Sequence, residues 1–151
     1  MTTSKGYYCI IHYCPNRLSM ECVMVGVILL SEEHHWMGAS MVKDNRRAIT
    51  LFNMTERESS YLELYKESVA HRINAADDSD RSFNWLNEYA ATRANDLVIS
   101  HLFPWELTQT EQYAATRAND LVITLPRMTK VEDPETSMAV LFDQLTRHER
   151  T

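Results

Sequence analysis

The ten residues Glu21–Leu30, ECVMVGVILL, decide the fold of this chain. Their apolar side chains fill both parities of an extended segment: Val23, Val25, Val27 and Leu29 on one, Cys22, Met24, Ile28 and Leu30 on the other. A strand with one wet face alternates polar and apolar residues. One that is apolar throughout lies centrally in its sheet, covered on both sides. Gly26 in its middle predicts a bulge or the close approach of a neighbouring backbone.

On the N-terminal side, Tyr7–Cys14 has the same β-branched and aromatic character and reads as the preceding strand. Between the two, CPNRLSM supplies a turn, since Pro15 lacks a backbone donor and Asn16 favours tight bends. On the C-terminal side the polar segment SEEHH leads into Trp36–Val42, a third strand. Three sequential strands joined by short loops predict an antiparallel meander.

Helical spacing takes over from there. Asp44 can cap a short helix carrying Ile49, Leu51 and Phe52. Thr55 with Glu58 forms a capping-box pattern, and Leu62, Tyr65, Val69, Ile73 and Ala76 then recur as one apolar stripe. AADDSD ends that helix. Ser82 or Asp80 can cap the next, with Phe83, Leu86 and Ala90 facing inward. Asp133-Pro134-Glu135 marks a last helix start, with a cap, a proline in the first turn and an acid near the positive end of the dipole. Met138, Leu141, Phe142 and Leu145 form its apolar side.

Between these helices the eleven residues Tyr89–Ile99, YAATRANDLVI, recur unchanged at Tyr113–Ile123. Identity of that length reflects copying within the gene. Each copy reads as a helix end, an Asn-Asp turn and a short strand. The first predicts a strand over Leu97–Phe103, and the second a helix over Leu107–Ala118 with a strand over Leu121–Leu125. A charged loop follows. The element order β-β-β-α-α-α-β-α-β-α predicts a single α+β domain over residues 1–151.

A formal charge of −6 opposes general nucleic-acid binding and adhesion to anionic membranes. The longest apolar run, Cys22–Leu30, is less than half a bilayer crossing. The N-terminus lacks the pattern of a signal peptide. Three cysteines without a leader predict free thiols in a reducing cytoplasm.

The residues offer few chemical constellations. Cys9, His12, Cys14 and Cys22 with His34-His35 contain metal-ligand types. Strand alternation sets Cys9 apart from His12 and Cys14, and no Cys-x-x-Cys knuckle is present, so no metal is expected. With three glycines the chain has no phosphate loop or dinucleotide fingerprint, and no cofactor is expected. Cys14 beside His12 is the one local nucleophile–base candidate. Acid pairs such as Glu32-Glu33 and Asp77-Asp78 read as solvated loop charges. The twin arginines Arg93 and Arg117 read as last-turn helix residues, with an anion clamp as the functional alternative. Met20 and Met24 on the second strand, with Met37 and Met41 on the third, have consistent parity within each strand and can line one sheet face, under the protein's own helices or facing a partner.

The segment Tyr8–Val27 resembles the opening of the bacterial domain of unknown function 3037 family. That pattern is a strand ending in Tyr-x-Pro, a turn with Arg, then Glu, and a strand with an Asn-Val-Gly-Val core. Tyr13, Pro15, Arg17, Glu21, Val25, Gly26 and Val27 match it. Met24 stands where the pattern has Asn, and His12 where Arg is common. Leu125-Pro126-Arg127, Asp133-Pro134-Glu135 and Leu141-Phe142-Asp143 resemble the family's closing strand and helix. The resemblance implies that the second copy holds the ancestral place. Members are sometimes encoded beside HipA-like kinases, which implies a partner role in a toxin–antitoxin or phage-defence setting.

The expectation is therefore a cytoplasmic, non-enzymatic protein that binds and regulates another protein, with Arg17, Glu21, Arg93 and Arg117 as binding residues. The rival is a small hydrolase or transferase using His12, Cys14, Arg17 and Glu21 around the first turn. A third alternative is an inhibitor encoded by a mobile element.

Overall fold

A computed structural model of the chain describes residues 4–16, 21–100 and 121–149. The ribbon predicted at the N-terminus is its centre. β1 (Ser4–Asn16), β2 (Glu21–Ser31) and β3 (Trp36–Met41) pair antiparallel in chain order. The other edge of β1 is taken by two short strands, β4 (Leu121–Ile123) opposite Tyr13–Ile11 and β5 (Arg127–Val131) opposite Tyr8–Ser4. They lie end to end, as one strand interrupted at Thr124–Pro126. Thr124 bridges the break: its N–H donates to Ile10 O at 2.9 Å, and its Oγ1 accepts from Ile10 N at 2.8 Å.

The register of β1 against β2 contains the bulge that Gly26 foreshadowed. Ile11 faces Gly26 and His12 faces Met24, so Val25 is the extra residue. One extra residue reverses the parity beyond it. Val23, Val25, Ile28 and Leu30 consequently share one core, while Met24, Val27 and Leu29 share the other. Uniform alternation misassigned Val27, Leu29, Ile28 and Leu30 relative to the first half. It also misassigned three of the methionines: Met24 lies in one core, and Met37 and Met41 at the opposite one, while Met20 lies outside the described residues.

Two helical layers cover the two faces. On the first lie α1 (Arg46–Phe52), α2 (Glu56–Asn74) and α3 (Phe83–Ser100), contributing Ala48, Leu62, Tyr65, Val69, Ile73, Leu86 and Tyr89 to the core. On the second lies α4 (Pro134–Glu149), whose Met138, Leu141, Phe142 and Leu145 pack on Met24, Val27 and Leu29. Both faces of β2 are thus dry. Fully burying each Leu or Ile there contributes about 1.5–3 kcal/mol.

The start signals act as predicted. Thr55 Oγ1 accepts from Glu58 N while Glu58 Oε1 accepts from Thr55 N. Ser82 Oγ accepts from Trp85 N, and Asp133 Oδ2 from Thr136 N. Asp44 Oδ1 accepts from Arg46 N, although the cap position of α1 is Asn45. Glu32, expected to be a solvated loop charge, accepts from Phe83 N through Oε2 and so helps to start α3.

Two elements differ from expectation. The strand expected over Leu97–Phe103 is helical up to Ser100, because α3 continues to that residue; 101–103 and the expected helix 107–118 lie outside the described residues. The charged loop after Pro126 is β5. Its only buried side chain is Val131, so no apolar alternation announces it, and backbone pairing to β1 makes the strand. Among the described residues no helix is long and apolar enough to cross a membrane.

Candidate functional site

The residues between β3 and α2, Val42–Ala48, hold a dense run of cations beside an opening in the fold. Lys43, Arg46 and Arg47 stand within five positions of a chain that is acidic as a whole. Together with Val23, Met24 and Val25 of β2, and with Phe142 and Thr146 of α4, they line a cavity of about 510 Å³. Half of its lining residues are apolar: Val23, Met24, Val25, Val42, Ala48 and Phe142. Asp44 is the only acid among the lining residues, and it meets Arg46 at 3.9 Å with both side chains largely exposed, a contact that contributes little. The size suits a small ligand or a few inserted side chains.

A buried ammonium holds this loop in place. Lys66 on α2 is 3% exposed, and its Nζ donates to Val42 O at 3.0 Å, to Asn45 Oδ1 at 2.8 Å and to Glu63 Oε1 at 2.6 Å. An ammonium has three protons, and each has an acceptor here. Asn45, also buried, uses its Nδ2 on Ser59 O and Ser59 Oγ, both at 3.0 Å. The loop is tied to α2 at two points, so its cations are presented by a fixed backbone.

The residues singled out from sequence are placed differently. Cys14 is joined to Cys22 by a disulfide, and Cys9 is the free thiol. This corrects the expectation of three free thiols. Hairpin pairing puts Cys14 opposite Cys22 with their Cα atoms 4.5 Å apart, within bridging range. Cys14, the nucleophile candidate read from the sequence, is held in that bond. His12 is half-buried on β1, paired with Met24 and Val122. Glu21 is exposed at the start of β2, opposite Asn16. Arg17 and Arg117 lie outside the described residues; Arg93 lies within α3, with its side chain outside them. His34 and His35 form the β2–β3 turn, at the far end of β2 from Cys22. Among the described residues no group of three or more His, Cys, Asp or Glu could hold a metal ion.

Cys9 is fully buried in the core, and desolvation pushes its thiol up to about 12. It should therefore stay protonated and inert at neutral pH. Alkylation followed by intact-mass measurement should show no label on the native oxidised protein and two after native reduction. A third label should appear only in denaturant. Opening the bridge should cost about 2–3 kcal/mol for a loop this short, read as a lowered urea midpoint. Three labels on the folded, unreduced protein would contradict both statements.

Sequence reasoning passed over Lys43, Arg46, Arg47, Asn45 and Lys66. The signal was present in two places. KDNRR concentrates cations in an acidic chain, and Lys66 falls four residues after Leu62 and three before Val69, on the buried stripe of α2.

A family model described as "Protein of unknown function (DUF3037)" matches residues 8–146. No curated protein and no solved structure matches.

Proposed function

We propose that this chain, which belongs to the DUF3037 family, is a non-enzymatic binding subunit that receives an acidic segment of a partner protein in the cavity beside Val42–Ala48. The supporting observation is that apolar residues and the cations Lys43, Arg46 and Arg47 line the same cavity. Apolar side chains of the partner would bury against Val23, Met24 and Phe142, and its carboxylates would meet the cations. Opposed charges steer such an encounter and select against other partners, as the net negative charge elsewhere repels acidic segments. A loop already fixed by Lys66 loses little further freedom on binding. A HipA-like kinase in a toxin–antitoxin or phage-defence setting is the partner that the family resemblance implies.

The test begins with native purification, identification of a stoichiometric partner and reconstitution from purified components. The double variant Lys43→Glu/Arg46→Glu should weaken the reconstituted complex by at least tenfold, about 1.4 kcal/mol, without lowering the melting temperature. Arg57→Glu/Lys130→Glu changes net charge equally at exposed positions outside the cavity and should bind as the parent does. Equal weakening by both pairs, or by neither, would refute the proposed site.

A further inference from the structure

The same three residues occur in two conformations in this protein. Leu97-Val98-Ile99 are helical, as part of α3, whereas Leu121-Val122-Ile123, the identical residues of the second copy, form β4. Local propensity is the same in both places and so cannot be what separates them. What β4 has is the place beside β1: Ile123, Val122 and Leu121 pair with Ile11, His12 and Tyr13. Leu121 and Ile123 enter the first core, and Thr124 Oγ1 accepts from Ile10 N.

The first copy carries every group that this place uses. Leu97 and Ile99 match Leu121 and Ile123, and Ser100 supplies a hydroxyl where Thr124 does. We propose that the two copies are interchangeable occupants of one slot beside β1, giving the protein two strand assignments. In the first, the second copy is the strand and α3 continues to Ser100. In the second, α3 stops before Asn95, Leu97–Ile99 pair with Ile11–Tyr13, and the second copy leaves the sheet. Leu86, Tyr89 and Ala90, buried residues in the first half of α3, keep their places in both.

Chain connectivity permits the exchange. The copies are offset by 24 residues, which lie before the strand in one assignment and after it in the other. The long connection joins α3 to the strand in the first case and the strand to β5 in the second. It spans 101–120 in the first and 100–126 in the second; closure entropy grows only with the logarithm of loop length, so it does not select strongly between them. A partner that contacts only one assignment would draw the population towards it by its difference in affinity.

The shortened chain lacking residues 89–112 is the natural reference. Removing 97–120 instead yields the same sequence, so it retains one helix–turn–strand unit and one strand candidate. It should fold. Leu121→Ala/Ile123→Ala in that chain removes core contacts that nothing replaces. In the full chain the same pair should lower the urea midpoint by less than about half as much, because the first copy takes the slot. Hydrogen exchange read by mass spectrometry should then show protection moving from 121–123 to 97–99; the copies are distinguishable by Ser100-His101 and Thr124-Leu125 in their peptides. The milder Thr124→Ala, which removes only the hydroxyl, should shift protection the same way without unfolding. Equal loss of stability in the two chains, unfolding of the full-length variant, protection that never reaches 97–99, or failure of the shortened chain to fold would each overturn the exchange.

Discussion

Lys66→Ala is expected to destabilise the protein by about 2–6 kcal/mol, from two acceptors left unpaired at about 1–3 kcal/mol each. Total folding stability of a domain this size is about 5–15 kcal/mol, so the variant should be partly unfolded at modest urea concentrations. The cost arises at the acceptors. Val42 O and Asn45 Oδ1 lose the ammonium that satisfies them, whereas Glu63, 43% exposed, recovers water. Lys66→Met leaves the same acceptors unpaired but retains most of the aliphatic stem, and should cost less than alanine by the packing it keeps. Lys66→Arg should not rescue, since a planar fork does not reproduce three contacts around a point charge. Equilibrium denaturation of the three variants gives the order. A loss below about 1 kcal/mol for alanine would mean that the loop is not held by this residue.

Gly26→Val is expected to cost about 3 kcal/mol or more, from overpacking at the bulge. Gly26 does not have a positive φ, so its requirement is space and not conformation. A Cβ added there would overlap Met41 Sδ, lie 3.0 Å from Ser40 O and 3.3 Å from Ile11 Cδ1. The thioether can rotate away, but the Ser40 carbonyl belongs to β3 and cannot. Gly26→Ala/Met41→Ala should therefore recover only part of the loss caused by Gly26→Ala. Thermal melts of the set decide the matter, and a neutral Gly26→Val would show that β2 and β3 do not approach as described.

These two residues also show why the sequence was only partly legible. Gly26 stood out because a glycine inside an apolar run needs a reason, and the reason was both a bulge and a close approach. The consequence for face assignment was not legible, because a bulge is defined by the register of two strands and not by either alone. Lys66 could have been noticed on the apolar stripe of α2, but two of its three acceptors come from a loop about twenty positions earlier in the chain. The Cys14–Cys22 bridge similarly depends on hairpin pairing, which alternation within one strand does not describe. The cavity is assembled from β2, the β3–α1 loop and the far end of α4. No local pattern joins those three segments.

What the residues settled unaided were properties carried by short stretches: the dry central strand, the capping box at Thr55, the start signals at Ser82 and Asp133, and the stripes of α2 and α4. Each depends on contacts within a few positions, where spacing and side-chain chemistry suffice. Tertiary structure alone decided which face each half of β2 presents, that a charged segment becomes β5, and that Leu-Val-Ile is helical in one copy and extended in the other. Those outcomes depend on long-range pairing with β1, whose free energy outweighs the small differences in local propensity.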